Sequence, residues 1–255
     1  IANSIDQAIS NNEFQVYYQP KIDGKGIIIG FEALIRWVHP DFGMIMPAEF
    51  IPIAEETGLI VPIGRWVLIE ACRQNVEWQK QGLPPICVSV NLSARQFLSP
   101  DLINHIKEAL KLSGMAPELL EVEITESMVM FRVDEALTQL YEIKYLGVHI
   151  AIDDFGTGYS SLAQLKRFPI DTLKVDRSFV SEVSHDPGAQ AITEAIIAMG
   201  KSMSLNIVAE GVETKAQQDF LRNRACDEMQ GFYFSRPLRP SEFSGFFRNH
   251  KKDSE

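Results

Sequence analysis

Short apolar runs alternate with longer amphipathic stretches along the whole chain. Runs of strand length fall at residues 14–18, 27–35, 86–91, 119–125, 149–153, 172–175, 207–210 and 229–234. Between most of them apolar positions recur at helical spacing, over 63–79, 102–112, 133–146, 189–203 and 215–224. Gly82, Gly114 and Gly147 follow the first three of these as stop signals. Eight strands with intervening helices predict an α/β fold, a TIM-like (β/α)8 barrel. Periodicity alone leaves a doubly wound open sheet as the alternative. One connection departs from the plain barrel. The segment from Lys21 to Gly26 is too short for a crossover helix, and Asp23-Gly24 is a hairpin signal. The first strand is therefore expected to run antiparallel to the second.

The residues that end these strands carry the chemistry. The second strand ends in Glu32-Ala-Leu-Ile-Arg36, the third at Asn91, the fourth around Glu123 and the fifth at Asp153-Asp154. The sixth carries Lys174, the seventh ends at Glu210, and Gln230 opens the eighth. In such a barrel the C-terminal strand ends form the active rim. The strand period of two puts Cys87, Ser89 and Asn91 on one face, with Val88 and Val90 on the other. His149, Ala151 and Asp153 share a face in the same way. Asp154 then belongs to the glycine-rich loop that runs from Asp153 to Ser161. Taken singly, each acid is well explained as a solvated loop residue. Acids and amides at five strand ends together are not, because carboxylates crowded into a low-dielectric mouth repel one another.

Divalent cations are the natural compensation. Oxygen donors without matched His or Cys spacing suit Mg²⁺, Mn²⁺ or Ca²⁺ rather than zinc. Adjacent Asp153 and Asp154 suit a pair of ions, and paired ions favour in-line attack on a phosphodiester. Lys174 is expected as the only cation on the rim. It either orients or deprotonates the attacking water, or it is an ordinary strand-end lysine.

Composition narrows the class further. With 255 residues, 45% of them hydrophobic, the chain can bury one large core, and no linker divides it. A single domain is expected over residues 1–248, followed by a solvated tail at 249–255. A formal net charge of −10 argues against DNA or RNA polymers and anionic membranes as bulk partners. Three cysteines far apart in sequence fit a reducing cytoplasm. The chain opens with Ile1 rather than Met. It is therefore expected to be cut from a longer protein, whose other parts could anchor it to a membrane.

Together these residues resemble the EAL domain, the cyclic di-GMP-specific phosphodiesterase family. The resemblance rests on Glu32-Ala33-Leu34 with Arg36, Tyr18-Gln19-Pro20, Pro47-Ala-Glu-Phe-Ile-Pro52, Asn91-Leu-Ser93 and Glu123-Ile-Thr-Glu126. Farther along it rests on Asp153-Asp-Phe-Gly-Thr-Gly-Tyr159, Lys174-Val-Asp-Arg177, Ala209-Glu-Gly-Val-Glu213 and Gln230-Gly231. These stand in order over roughly residues 5–245. The resemblance implies a TIM-like barrel with one antiparallel strand and hydrolysis of cyclic di-GMP to linear pGpG. It implies binding of two Mg²⁺ or Mn²⁺ ions by Glu32, Asn91, Glu123, Asp153 and Asp154, with Glu210 close by. Ca²⁺ is expected to bind without supporting turnover. Lys174 resembles the residue that positions or activates water, and Glu213 its electrostatic support. Gln19, Arg36, Asp154 and Gln230 resemble substrate contacts, and Glu126 the residue that steadies the glycine-rich loop. A catalytically silent cyclic di-GMP receptor is the alternative. A homodimer, and regulatory or sensory domains in the full-length protein, are the further partners the family suggests.

Overall fold

A computed structural model describes residues 4–157 and 162–254. Its strands are β1 (Phe14–Asp23), β2 (Ile28–His39), β3 (Gly43–Ile45), β4 (Cys87–Asn91), β5 (Leu120–Thr125), β6 (His149–Phe155), β7 (Thr172–Val175), β8 (Asn206–Ala209) and β9 (Glu228–Met229). Eight of them close a barrel in the order β1, β2, β4, β5, β6, β7, β8, β9 and back to β1. The short β3 extends β2 outward. The pairings from β2 through β4 to β9 are parallel, whereas β1 is antiparallel to both its neighbours. The open-sheet alternative is thereby excluded. The expected hairpin is present: the Asp23 carboxylate accepts from the amides of Lys25 and Ile27, and Gly26 turns the chain at φ +89°.

The helices are α1 (Pro47–Thr57), α2 (Ile60–Lys80), α3 (Ala94–Phe97), α4 (Leu102–Ser113), α5 (Glu126–Phe131), α6 (Val133–Tyr145), α7 (Leu162–Leu165), α8 (Arg177–Glu182), α9 (Pro187–Ser202), α10 (Lys215–Asn223) and α11 (Pro240–Ser254). Because β1 returns directly into β2, no crossover helix covers that wall. The C-terminal helix does so instead. Phe243 of α11 stacks on Trp78 at 4.5 Å and packs against Phe31 and Tyr18. Residues 249–254 continue this helix, with Asn249 exposed. His250 stacks on Phe246 and meets the Gly26 carbonyl oxygen at 2.5 Å.

The strand alternation divides the molecule into two kinds of core. Val88, Val90, Val122, Ile124, Ile150, Ile152, Leu173, Val175 and Ile207 are buried and join the apolar core under the helices. The opposite faces meet inside the barrel, where hydrogen bonds join Lys21, Ser89, Glu121, Glu123, Thr172 and Lys174. This lumen is polar, unlike the branched aliphatic filling usual for the fold.

The last barrel strand is shorter than the expected 229–234. It ends at Met229 because the chain then wraps around Val212. Val212 N–H donates to the Gln230 carbonyl, and Tyr233 N–H donates to that of Val212. A Cβ on Gly231 would lie 2.1 Å from the Val212 carbonyl oxygen, so only glycine permits this approach.

Candidate active site

At the centre of the C-terminal rim the Lys174 ammonium is fully buried. It meets Glu123 at 2.5 Å, Glu210 at 2.6 Å and Asp153 at 3.1 Å. Period-two geometry on β5, β6 and β7 aims these side chains inward, and adjacent parallel strands bring them to one level. Burial works against the ammonium, but the surrounding carboxylates outweigh it and hold its pKa well above the ordinary lysine value. Lys174 is therefore a positive charge shared among these three carboxylates. Nor is it the only cation of this cluster. Lys21 lies one layer deeper, with 2% of its surface exposed, and shares Glu123 at 2.9 Å.

The carboxylates respond unequally. Burial alone would raise Glu123, yet the two lysines hold it down at about 2. Burial raises Glu32, with Glu123 and Asp153 adding to the effect and Lys174 opposing it. Burial pushes Glu210 up to about 8 against the pull of Lys174. Carboxyl groups thus outnumber ammonium groups toward the mouth, and their crowding there favours the protonated form until further positive charge arrives.

A chain of amides completes the rim. Gln230 donates through Nε2 to Glu32 Oε2 at 2.6 Å and to Gln19 Oε1 at 3.0 Å, and Asn91 donates to Glu32 Oε1 at 2.6 Å. Gln19 pairs directly with Glu32 across the β1–β2 ladder, a neighbour set by the antiparallel register. A cavity of about 300 Å³ opens above, lined by Gln19, Glu32, Arg36, Asp153, Glu210 and Gln230. Arg177, Glu213 and Phe232 also line it. Asn91 lines a neighbouring apolar cavity of about 440 Å³ instead. Glu213 reaches Arg177 at 2.8 Å on the wall of the same cavity.

Asp154 sits in a break of the β6–β7 register, at φ +54°, a conformation rare outside glycine. This irregularity is what lets two consecutive aspartates serve one rim. Burial, Asp153 and Asp176 push the Asp154 carboxyl up to about 6. Asp176, which caps α8 just beyond the end of β7, was not singled out from sequence. The Glu126 carboxylate accepts from Gly156 N–H at 2.9 Å and so ties the start of the glycine-rich loop to α5. Residues 158–161 of that loop lie outside the described residues.

The donor set fits hard divalent cations. It offers carboxylate and amide oxygens, carries excess negative charge and leaves the buried Gln230 Oε1 without a hydrogen-bond partner. Among the described residues no group of three or more His, Cys, Asp or Glu side chains stands ready spaced around an ion. Lys174 and the amides engage the oxygens instead. Binding would therefore require the Lys174–Asp153 and Asn91–Glu32 contacts to part. No helix among the described residues is long and apolar enough to cross a membrane.

Comparison with known proteins agrees with this architecture. The EAL domain family model matches residues 2–237. The signaling protein YkoW of Bacillus subtilis is 48% identical over 94% of this chain and 30% of its own length. The bifunctional diguanylate cyclase/cyclic di-GMP phosphodiesterase MucR of Pseudomonas aeruginosa is 47% identical over 95% of this chain and 35% of its own. The chain thus spans about a third of the curated relatives it matches. The solved structure described as "PaMucR Phosphodiesterase, c-di-GMP complex" superposes with a TM-score of 0.92 at 46% identity, covering 94% of this chain and 98% of that one. With the family model spanning nearly all of it and these relatives close to half identical, the chain belongs to the EAL domain family.

Proposed function

We propose that this chain hydrolyses cyclic di-GMP to linear pGpG, using two divalent cations. The observation that carries this is the convergence of Glu123, Asp153 and Glu210 on one buried ammonium, with Glu32 beside them, beneath a cavity lined by Arg36. Glu32, Asn91, Glu123, Asp153, Asp154 and Glu210 would hold the cations, Mg²⁺ or Mn²⁺, which when bound neutralise the phosphate and acidify water. Arg36 offers the cavity a guanidinium suited to a phosphate oxygen. Gln19 and Gln230, already ordered by one another, present amides to the nucleotide. Lys174 holds Glu210 and keeps a positive charge beneath the reacting phosphate. The oxygen of water becomes bonded to phosphorus, one P–O3′ bond breaks, and the departing 3′ oxygen takes up a proton.

The deciding experiment incubates the protein with cyclic di-GMP and Mg²⁺ or Mn²⁺ and separates the products chromatographically. A peak of pGpG is expected. Intact cyclic di-GMP bound in stoichiometric amount would instead establish the silent-receptor alternative.

The loop anchor makes a separate prediction. Glu126→Ala removes the acceptor of Gly156 N–H without removing any proposed cation ligand. Turnover should fall roughly 10- to 100-fold, the usual scale for residues that orient ligands, with weaker dependence on added Mg²⁺. Unchanged rate and metal dependence would leave Glu126 as an ordinary helix-start acid.

A further inference from the structure

We infer that Lys21 is a positioning residue for cation binding: it grips one oxygen of Glu123 from inside the barrel and leaves the other for the mouth. The inference rests on the metal-dependent function proposed above and concerns a residue outside the cavity. Lys21 Nζ donates to Glu123 Oε1 at 2.9 Å, to Glu121 Oε1 at 2.9 Å and to Ser89 Oγ at 2.6 Å. Glu123 Oε2 faces Lys174. The two oxygens of one carboxylate are thus divided between a deep lysine and a rim lysine.

The antiparallel strand makes this possible. Because β1 runs down the barrel, Lys21 lies two residues deeper than the rim residue Gln19 and on the same face. Opposite Lys21 the ladder places Gly30, where an added Cβ would lie 3.8 Å from Lys21 Cδ and 3.2 Å from the Cys87 carbonyl oxygen. The Lys21 stem thus passes beside Gly30, whose tightest neighbour is the Cys87 carbonyl. Glu121 is itself held by Ser89 at 2.7 Å and by Thr172 at 2.7 Å, so the whole lower layer is rigidly bonded. When a divalent cation replaces the Lys174 contact, Glu123 keeps its lower anchor. It then presents Oε2 without having to be re-oriented, as partners behind metal ligands do elsewhere.

Lys21→Met alone would strand Glu121 as a buried, unpaired charge and could unfold the barrel. The test therefore compares Glu121→Leu with the double variant Lys21→Met/Glu121→Leu, which removes the buried Lys21–Glu121 pair as a unit. Cooperative thermal unfolding verifies each fold, and calorimetry with Ca²⁺ measures affinity without turnover. Glu121→Leu should bind Ca²⁺ much as the unaltered protein does. The double variant should bind about 10- to 100-fold more weakly. Equal affinity in the two variants would overturn the positioning role and leave Lys21 as the structural partner of Glu121. Absence of Ca²⁺ binding in the unaltered protein would overturn the metal-dependent function, and the Lys21 role with it.

Discussion

Excess EDTA should abolish hydrolysis of cyclic di-GMP, and Mg²⁺ or Mn²⁺ should restore it. The reason is electrostatic. Glu32, Glu123, Asp153 and Glu210 crowd one rim, and Lys174 and Lys21 are already committed to holding them. A phosphodiester approaching that surface meets net repulsion unless further positive charge arrives with it. Arg36 and Arg177 are the basic side chains among the described residues lining the cavity, and Arg177 is paired with Glu213. Ca²⁺ should bind and yet support little turnover, because its looser coordination positions water and phosphate less strictly than octahedral Mg²⁺. Undiminished turnover in excess chelator would remove the cations from the mechanism altogether.

Lys174→Ala should lower hydrolysis at saturating substrate by roughly two orders of magnitude or more, the usual scale for a group acting on the transition state. Cyclic di-GMP should still bind, as measured calorimetrically in Ca²⁺. The structure adds a second readout. Removing this ammonium leaves three carboxylates facing one another in a buried site, which should cost about 3–5 kcal/mol of stability in cation-free protein. Ca²⁺ should recover most of that loss, since it takes over the same oxygens. Denaturant unfolding with and without Ca²⁺ gives both numbers. Collapsed affinity with near-normal saturated turnover would make Lys174 a phosphate clamp instead.

Much of the rim could be read from the chain because a parallel barrel converts strand ends into neighbours. Once 86–91, 119–125, 149–153 and 172–175 are taken as successive strands, Asn91, Glu123, Asp153 and Lys174 fall together without further information. The direction of β1 was equally legible, from a turn too short to cross the barrel. The lower ionic layer was not. Lys21 alternates with Tyr18, Pro20 and Ile22 and so shares a face with Gln19, a signal present in sequence. It was passed over because burying Lys21, Glu121 and Glu123 together runs against the ordinary preference of charges for water. The Arg177–Glu213 pair could not be read at all. It joins the first residue of α8 to the loop after β8, whose side chains meet only once the barrel is closed. The end of β9 was misjudged because the approach of Gly231 to Val212 depends on a neighbouring strand, not on local pattern.

That two-residue β9 has a mechanical consequence. It joins β8 by two residue pairs and β1 by two more, whereas β1 and β2 share nine. A closed tube gives way first at the staves with the fewest rungs. Gln230 hangs directly on this stave, while Glu123 and Asp153 hang on β5 and β6, which share five residue pairs. On warming, the protein should therefore lose the placement of Gln230 before it loses its carboxylate cluster. Its upper working temperature is then set by a seam, not by the strength of its core.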